Sequence, residues 1–335
     1  MEKCKVLATH TPGLLAAAVQ EAVRLLRAGE VVVLPTETVY GLAANALDAT
    51  AVEKIFAVKG RPAHNPIIVH VVSLEMAQRC VKEWPPLAAK LANAFWPGPL
   101  TLVLPRADRI PDPVTARGPT VGVRWPRHPV IEAVIRACGF PLAAPSANLS
   151  GQVSPTTAED ARSGLCGKVQ LVLDGGPAQV GIESTVLDLT TLPARMLRPG
   201  MIPVESLAAV TGDLVAVESR PDEVLRSPGL LHRHYAPKAR LVVWSWTNDA
   251  DLKSQISNLK FEINETFVIA HSRLPGETGY GQICVLPRDP EAFGRALYSE
   301  WHRCDAAGAK LIVVEAPPEN VAWQAIADRL RRASA

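Results

Sequence analysis

In VVVLPTETVYGL, residues 31–42, an unbroken apolar run gives way at Pro35 to a cluster of short polar side chains. Four consecutive apolar residues, 31–34, bounded by a proline have the pattern of a strand buried on both faces. Thr36, Glu37, Thr38 and Tyr40 then fall at the carboxyl end of that strand, where α/β sheets hold ligands. The same hydroxyls also suit a plain turn bonded to its own backbone.

Upstream, a helix is expected over 12–28. Thr11 can cap it, Pro12 suits its first turn and Gly29 its end. Downstream, helices are expected near 50–58, 73–82, 85–95 and 128–138, and strands at 67–72, 100–104, 120–124, 141–144, 170–173 and 185–189. Thr156 and Glu159 have capping-box spacing, so a further helix should start there. Strands and helices interleave, but many strands have no helix between them. The pattern therefore predicts a twisted, mixed-sheet α/β domain over 1–205. Residues 206–239 carry a looser pattern with prolines and mixed charge, and read as a linker. Strands at 241–244, 267–270, 283–286 and 311–314, with helices at 290–306 and 319–332, predict a smaller α/β domain, Rossmann-like in type, over 240–335.

The 335 residues are 48% hydrophobic, ample for a core of this size. The net charge is +2 and the sequence pI about 8.2. A module that holds nucleic acid unaided usually has a pI above about 9 and a clustered basic stripe. Tight direct RNA binding is therefore not indicated by charge, which leaves room for a transient contact. Six cysteines (Cys4, Cys80, Cys138, Cys166, Cys284 and Cys304) include no C-x-x-C pair, which fits reduced thiols. The first ten residues, MEKCKVLATH, lack the apolar core of a signal peptide, and no apolar run nears the roughly 18 residues of a membrane span. A cytoplasmic protein with no membrane association is expected.

Several further segments carry chemistry-bearing residues. In KGRPAHNPIIVH, 59–70, Lys59 and Arg61 follow a helix on a loop stiffened by two prolines. Two such cations suit a phosphate clamp, and they also complement a helix C-terminus. His70 closes the next strand, and a lone histidine there is more often a core residue than a catalyst. In TVGVRWPRHP, 120–129, alternation puts Thr120, Gly122 and Arg124 on one strand face. Arg124 needs an anion, either a structural carboxylate or a substrate's. PLAAPSANLSGQVSPTT, 141–157, runs from a strand into Ser146, Asn148, Ser150 and Ser154, a loop able to meet anions or simply to cap a helix. GIEST at 181–185 supplies Ser184, and LRPG at 197–200 supplies Arg198. No Walker loop, no G-x-G-x-x-G fingerprint, no nucleophile elbow and no zinc spacing is present; His232 and His234 alone do not make a metal site.

Taken in order, these segments resemble the YrdC-type superfamily. Lys59-x-Arg61 followed by Ser146-x-Asn148 matches its hallmark. PTETVYGL, KGRPAHNPIIVH, APSAN with SGQVSPT, GIESTV and LRPG are similar to the threonylcarbamoyl-AMP synthases. SPGLLHRHYAP and the extra C-terminal domain resemble their longer, two-domain branch. The resemblance implies a twisted α/β domain with an open, positively lined cavity. It implies an enzyme that joins L-threonine, bicarbonate and ATP, releases pyrophosphate and passes threonylcarbamoyl-adenylate to a separate transferase complex that modifies tRNA. By similarity, Thr38, His70, Arg124, Ala144 and Ser184 would line the threonine site. Arg61, Asn65, Thr120, Ser146, Ser154, Arg198 and Tyr235 would contact ATP. Lys59 would add charge beside Arg61, and the segment around Tyr235 would act as a lid. Mg²⁺ would arrive with ATP. Because the carbamate nucleophile is already anionic, positive charge and alignment are the main requirements, and Lys59, Arg61, Arg124 and Arg198 supply the charge. Two alternatives are a carbamoyl-phosphate-type carbamoyltransferase domain of the same superfamily and a non-catalytic RNA-binding module.

Overall fold

The computed structural model describes residues 4–165, 167–216, 235–276 and 278–335. The chain divides into two compact units, Met1–Ser150 with Ser154–Leu230, and Gly151–Val153 with Leu231–Ala335.

In the first unit the described residues form eleven strands: β1 (Lys5–Ala8), β2 (Val32–Leu34), β3 (Gly41–Asn45), β4 (Val69–His70), β5 (Leu100–Pro105), β6 (Thr120–Arg124), β7 (Leu142–Ala143), β8 (Leu171–Asp174), β9 (Thr185–Asp188), β10 (Ala194–Arg198) and β11 (Leu214–Ala216). They join in one mixed sheet of order β1-β8-β2-β3-β7-β4-β6-β5-β9-β10-β11. Parallel pairs such as β4–β6 and β5–β9 stand beside antiparallel ones such as β2–β3 and β5–β6. The expected mixed sheet is present. Most of its strands are two to five residues long, so the loops between them carry much of the polar chemistry.

The first helix, Pro12–Arg27, starts where Thr11 accepts the Leu14 N–H, and it buries Ala18, Ala22, Leu25 and Leu26. The helix Ala49–Lys59 is capped by Asp48 and stops at Gly60, which adopts the left-handed conformation that a side chain would resist. Strand β3 was not expected. Its sequence, GLAAN, has weak strand propensity, but pairing with β2 on one side and β7 on the other overrides that preference. The capping box forms one residue later than expected: Thr157 accepts the Asp160 N–H, and the Asp160 carboxylate accepts the Thr156 and Thr157 N–H groups. The short aspartate side chain reaches back where glutamate was expected to.

The linker expected from 206 is corrected at both ends. Residues Val204–Thr211 form a helix, and β11 extends the first unit's sheet by parallel pairing with β10. At the far end, Tyr235 is buried rather than loose. Residues 217–234, with His232 and His234 and most of the expected lid, lie outside the described residues, as does Cys166. The other five cysteines are free thiols. Among the described residues no helix is long and apolar enough to cross a membrane.

The second unit has four parallel strands, β12 (Arg240–Trp244), β13 (Thr266–Ala270), β14 (Gln282–Val285) and β15 (Leu311–Glu315), in the order β12-β15-β13-β14. Helices Asp249–Asn258, Pro290–Ala306 and Gln324–Ala333 accompany the sheet; the first was not expected, and the helix expected over 319–332 begins as a 3-10 turn, Val321–Trp323. Leu252, Ile256, Val268 and Val313 form its core. In this unit Tyr235 stacks on Tyr298 with ring centroids 5.9 Å apart, and the Arg329 guanidinium lies 5.4 Å from the Tyr235 ring. Tyr235 takes a positive φ of 63°, a strained conformation for an aromatic residue.

Gly200 marks a close approach in the first unit: a Cβ there would lie 2.4 Å from the Thr185 nitrogen and 2.6 Å from its Oγ1. Backbone cannot yield cheaply. Gly200→Ala should cost about 1–3 kcal/mol of stability, read as a lower denaturant midpoint at unchanged m-value.

Candidate active site

Register places the polar residues of the first unit at two levels of its sheet. His70 is paired with Arg124 across β4 and β6, so the two side chains share a face. Thr120 lies four residues back along β6 on that same face, opposite Pro105, roughly 13 Å from Arg124 at the usual strand rise. Ser146 bridges Gly41, as Leu142 pairs with Asn45, so it too lies four residues along from the His70–Arg124 level. Ala144 sits between these levels and donates its N–H to the Ile68 carbonyl.

Arg124 is the buried charge at the first level, 3% exposed. Its Nε donates to the Gly98 carbonyl at 3.3 Å and its Nη1 to Thr38 Oγ1 at 3.0 Å. Its Nη2 lies 2.7 Å from Glu37 Oε2. That contact is an ion pair without hydrogen-bond alignment: neither Arg124 Nη2 nor either Glu37 oxygen has a hydrogen-bond partner. The loop that carries Glu37 and Thr38 is held in three ways. Thr36 Oγ1 contacts Thr38 Oγ1 at 2.8 Å and donates to the Val39 carbonyl, and the Val180 and Gly181 N–H groups donate to the Glu37 and Thr38 carbonyls. His70 is neutral at ordinary pH: burial, then the Arg124 charge, pushes its pKa down to about 3. Its Nδ1 has no partner.

A second cluster gathers on the Lys59 loop. The Lys59 ammonium, 2% exposed, donates to the Ser146 and Asn148 carbonyls, both at 2.5 Å, while its own carbonyl accepts the Ser150 N–H. Burial, then Arg61, pushes its pKa well down. Lys59 thus holds the serine-rich loop in place. Arg61 donates to the Asn65 and Pro66 carbonyls at 3.0 and 2.7 Å, closing its own loop. The Asn65 side-chain amide is fully buried, and neither its Oδ1 nor its Nδ2 has a partner, which is costly unless a ligand completes it.

A third cluster joins GIEST to LRPG. Arg198 donates to the Ser184 carbonyl at 3.0 Å and to Ser184 Oγ at 3.1 Å, and Ser184 Oγ lies 2.8 Å from Thr101 Oγ1. Ser154 Oγ donates to Glu183 Oε1 at 2.6 Å.

The first unit therefore brings Thr38 and Arg124 into direct contact, sets His70 beside them, ties Lys59 to Ser146, and ties Ser184 to Arg198. Thr120 stands apart at the far end of β6, and Tyr235 belongs to the second unit. Two buried carboxylates, Glu37 and Glu183, had no assigned part. Each is embedded in a hydroxyl-rich or apolar run, and a carboxylate in such a run is the signal that marks it.

A family profile described as "Telomere recombination" matches residues 24–200, and one described as "Threonylcarbamoyl-AMP synthase, C-terminal domain" matches residues 202–335. The threonylcarbamoyl-AMP synthase of Pyrococcus abyssi is 40% identical over 319 residues, 93% of each chain. This chain belongs to the threonylcarbamoyl-AMP synthase family. The Bacillus subtilis member is 37% identical over 321 residues, covering 94% of this chain and 92% of that one. A crystal structure of the Pyrococcus abyssi Sua5 protein complexed with L-threonine superposes with a TM-score of 0.89 at 36% identity, covering 98% of this chain and 96% of that one. Escherichia coli YciO, at 24% identity and a TM-score of 0.55, shares the fold over 62% of this chain.

The depressed His70 pKa sets a pH dependence. The ordinary value is near 6.5, so below that the unfolded chain takes up a proton that the folded chain refuses until about pH 3. Stability should fall as pH drops through this window, by at most about 1.4 kcal/mol per pH unit for this group. His128, shifted down chiefly by burial, acts in the same direction. His70→Gln should remove one proton's worth of the slope, measured by denaturation between pH 7 and 4.

Proposed function

We propose that this protein condenses L-threonine, bicarbonate and ATP into L-threonylcarbamoyl-adenylate with release of pyrophosphate, acting in the cytoplasm. The observation that carries the reading is the spacing of two polar levels on one sheet. Arg124 with Thr38 and His70 makes a buried polar cluster around one guanidinium. Four residues along lie Thr120 and Ser146, at a distance that suits an extended nucleotide. A family relative bound to L-threonine supports the choice of amino acid.

In this reading Arg124 binds the threonine carboxylate, while Thr38, His70 and Ser184 face its hydroxyl and backbone of residue 144 packs against it. A site that pairs a substrate hydroxyl rejects analogues that lack one, because its own polar groups are left bare. Arg61, Asn65, Thr120, Ser146, Ser154 and Arg198 take ATP. The carbamate oxygen of N-carboxythreonine attacks the α-phosphorus, and pyrophosphate leaves in line. Such transfers rest on alignment and charge neutralisation. Arg61 and Arg198 neutralise the phosphates, and Lys59 acts through the Ser146–Asn148 loop it holds. Mg²⁺ accompanies ATP and would neutralise phosphate charge; the Ser154 hydroxyl and Glu183 carboxylate, 2.6 Å apart, are hard oxygen donors of the type it takes. The product passes to a threonylcarbamoyl transferase that modifies tRNA.

The test is pyrophosphate release with each substrate omitted in turn. Release should need threonine, bicarbonate and ATP together. Threonine-independent turnover with carbamoyl phosphate would favour a carbamoyltransferase, and RNA binding without turnover a non-catalytic module. Arg61→Ala should lower turnover by about 100-fold or more while a thermal melt shows it folded; near-normal turnover would remove Arg61 from the phosphate site.

A further inference from the structure

Glu37 is a buried carboxylate, 4% exposed, that the reaction as drawn gives no task. Neither of its oxygens accepts a hydrogen bond, and neither N–H of the adjacent Arg124 Nη2 finds an acceptor, although the two groups are 2.7 Å apart. The two charges attract, yet the pair lacks an aligned hydrogen bond, and a ligand that carries one donor and one acceptor supplies what each group lacks. An α-amino acid zwitterion has that form. Its carboxylate and its ammonium are two bonds apart, one suited to Arg124 and the other to Glu37.

We propose that Glu37 is the general base of the carboxylation step: it receives the α-ammonium of threonine, takes its proton and frees the amine to attack bicarbonate. The inference rests on the synthase reaction proposed above. An α-ammonium has no lone pair, so it cannot attack until one N–H bond breaks. That proton goes to a Glu37 oxygen. The nitrogen pair forms the N–C bond to bicarbonate, and the departing hydroxide leaves as water with a second proton from nitrogen. One ammonium, one bicarbonate and one carboxylate yield one carbamate, one water and one carboxylic acid, with a net charge of −1 on each side.

The other charged or titratable groups around Glu37 are less suited. Arg124 on β6 only donates. His70 on β4 would become a second buried cation beside Arg124 on taking a proton, which burial and that charge oppose, whereas a carboxylate becomes neutral. His128, at the start of the helix Pro129–Cys138, is also shifted down by burial, and its Nδ1 already accepts the Val130 N–H. Glu183, on the loop that packs against Glu37 through Val180, accepts the Ser154 hydroxyl.

The experiment is Glu37→Gln, followed in both directions and against pH. Wild-type protein must first make threonylcarbamoyl-adenylate; if it does not, the proposed function fails and Glu37 is not in question. In the variant, forward turnover at pH 7 should fall by about 100-fold or more. Its kcat/KM for threonine should then climb about tenfold per pH unit as solution supplies free amine, while the wild type stays flatter. The reverse step, ATP formation from authentic threonylcarbamoyl-adenylate and pyrophosphate, needs no amine deprotonation and should stay within about threefold of wild type. Equal pH slopes in the two proteins, or parallel loss of both directions, would overturn the proposal. If Glu37→Gln melts below the assay temperature, Glu37→Asp serves instead. It should retain the wild-type pH profile and the reverse step at a reduced forward rate, and an unreduced forward rate would count against Glu37.

Discussion

A guanidinium buried within a strand must be answered by other parts of the chain, and Arg124 draws its partners from two of them. It takes the Gly98 carbonyl from the segment before β5 and Thr38 and Glu37 from the loop after β2. An unpaired buried cation is expensive, and breaking a buried pair costs about 3–5 kcal/mol in typical cases. The loop at 35–40 is thereby drawn back over the sheet face. Once there, its carbonyls take the Val180 and Gly181 N–H groups, which fixes the segment leading to Ser184. Ser184 in turn holds Arg198. One charge thus organises three loops that are distant in sequence.

The same principle, a cation spent on architecture, applies to Lys59. Its position after a helix and beside Arg61 suggested a phosphate clamp. Two of its three donors are committed to main-chain carbonyls of the Ser146–Asn148 loop. A lysine has three donors on a flexible stem, so it can brace a loop from beneath where a planar guanidinium would not fit as readily. The link between the two halves of the family hallmark, Lys59 and Ser146-x-Asn148, is therefore a set of direct hydrogen bonds.

Much of this was legible in the sequence because local signals agreed. Proline at the start and glycine at the end located helices such as Pro12–Arg27 to within a residue, and the apolar runs located β5, β6 and β8. The mixed sheet followed from strands lacking intervening helices. What escaped were elements whose sequence is weak and whose partners are remote: β3, built from small residues, and β1, β10 and β11 towards the sheet's two edges. At the site, Arg124 stood out as a charge within an apolar strand and Thr38 and Ser146 as polar residues after strands, while Ser184 came only through the family resemblance. Their pairing was not legible. Which carboxylate answers Arg124, and which carbonyls answer Lys59, depends on how loops fold back, and no periodicity encodes that.

Strand β8 lies between β1 and β2 and pairs with both, so residues 5–8 reach their neighbours only through 171–174. Closing so long a loop is entropically slow, and contacts of such sequence separation lower folding rates. During synthesis on the ribosome, the amino-terminal strand must wait with its edge uncovered until more than half of the chain has emerged. An exposed strand edge invites pairing with other chains. The charge of Lys5, exposed at the start of β1, is placed where it discourages that encounter while the nascent protein is incomplete.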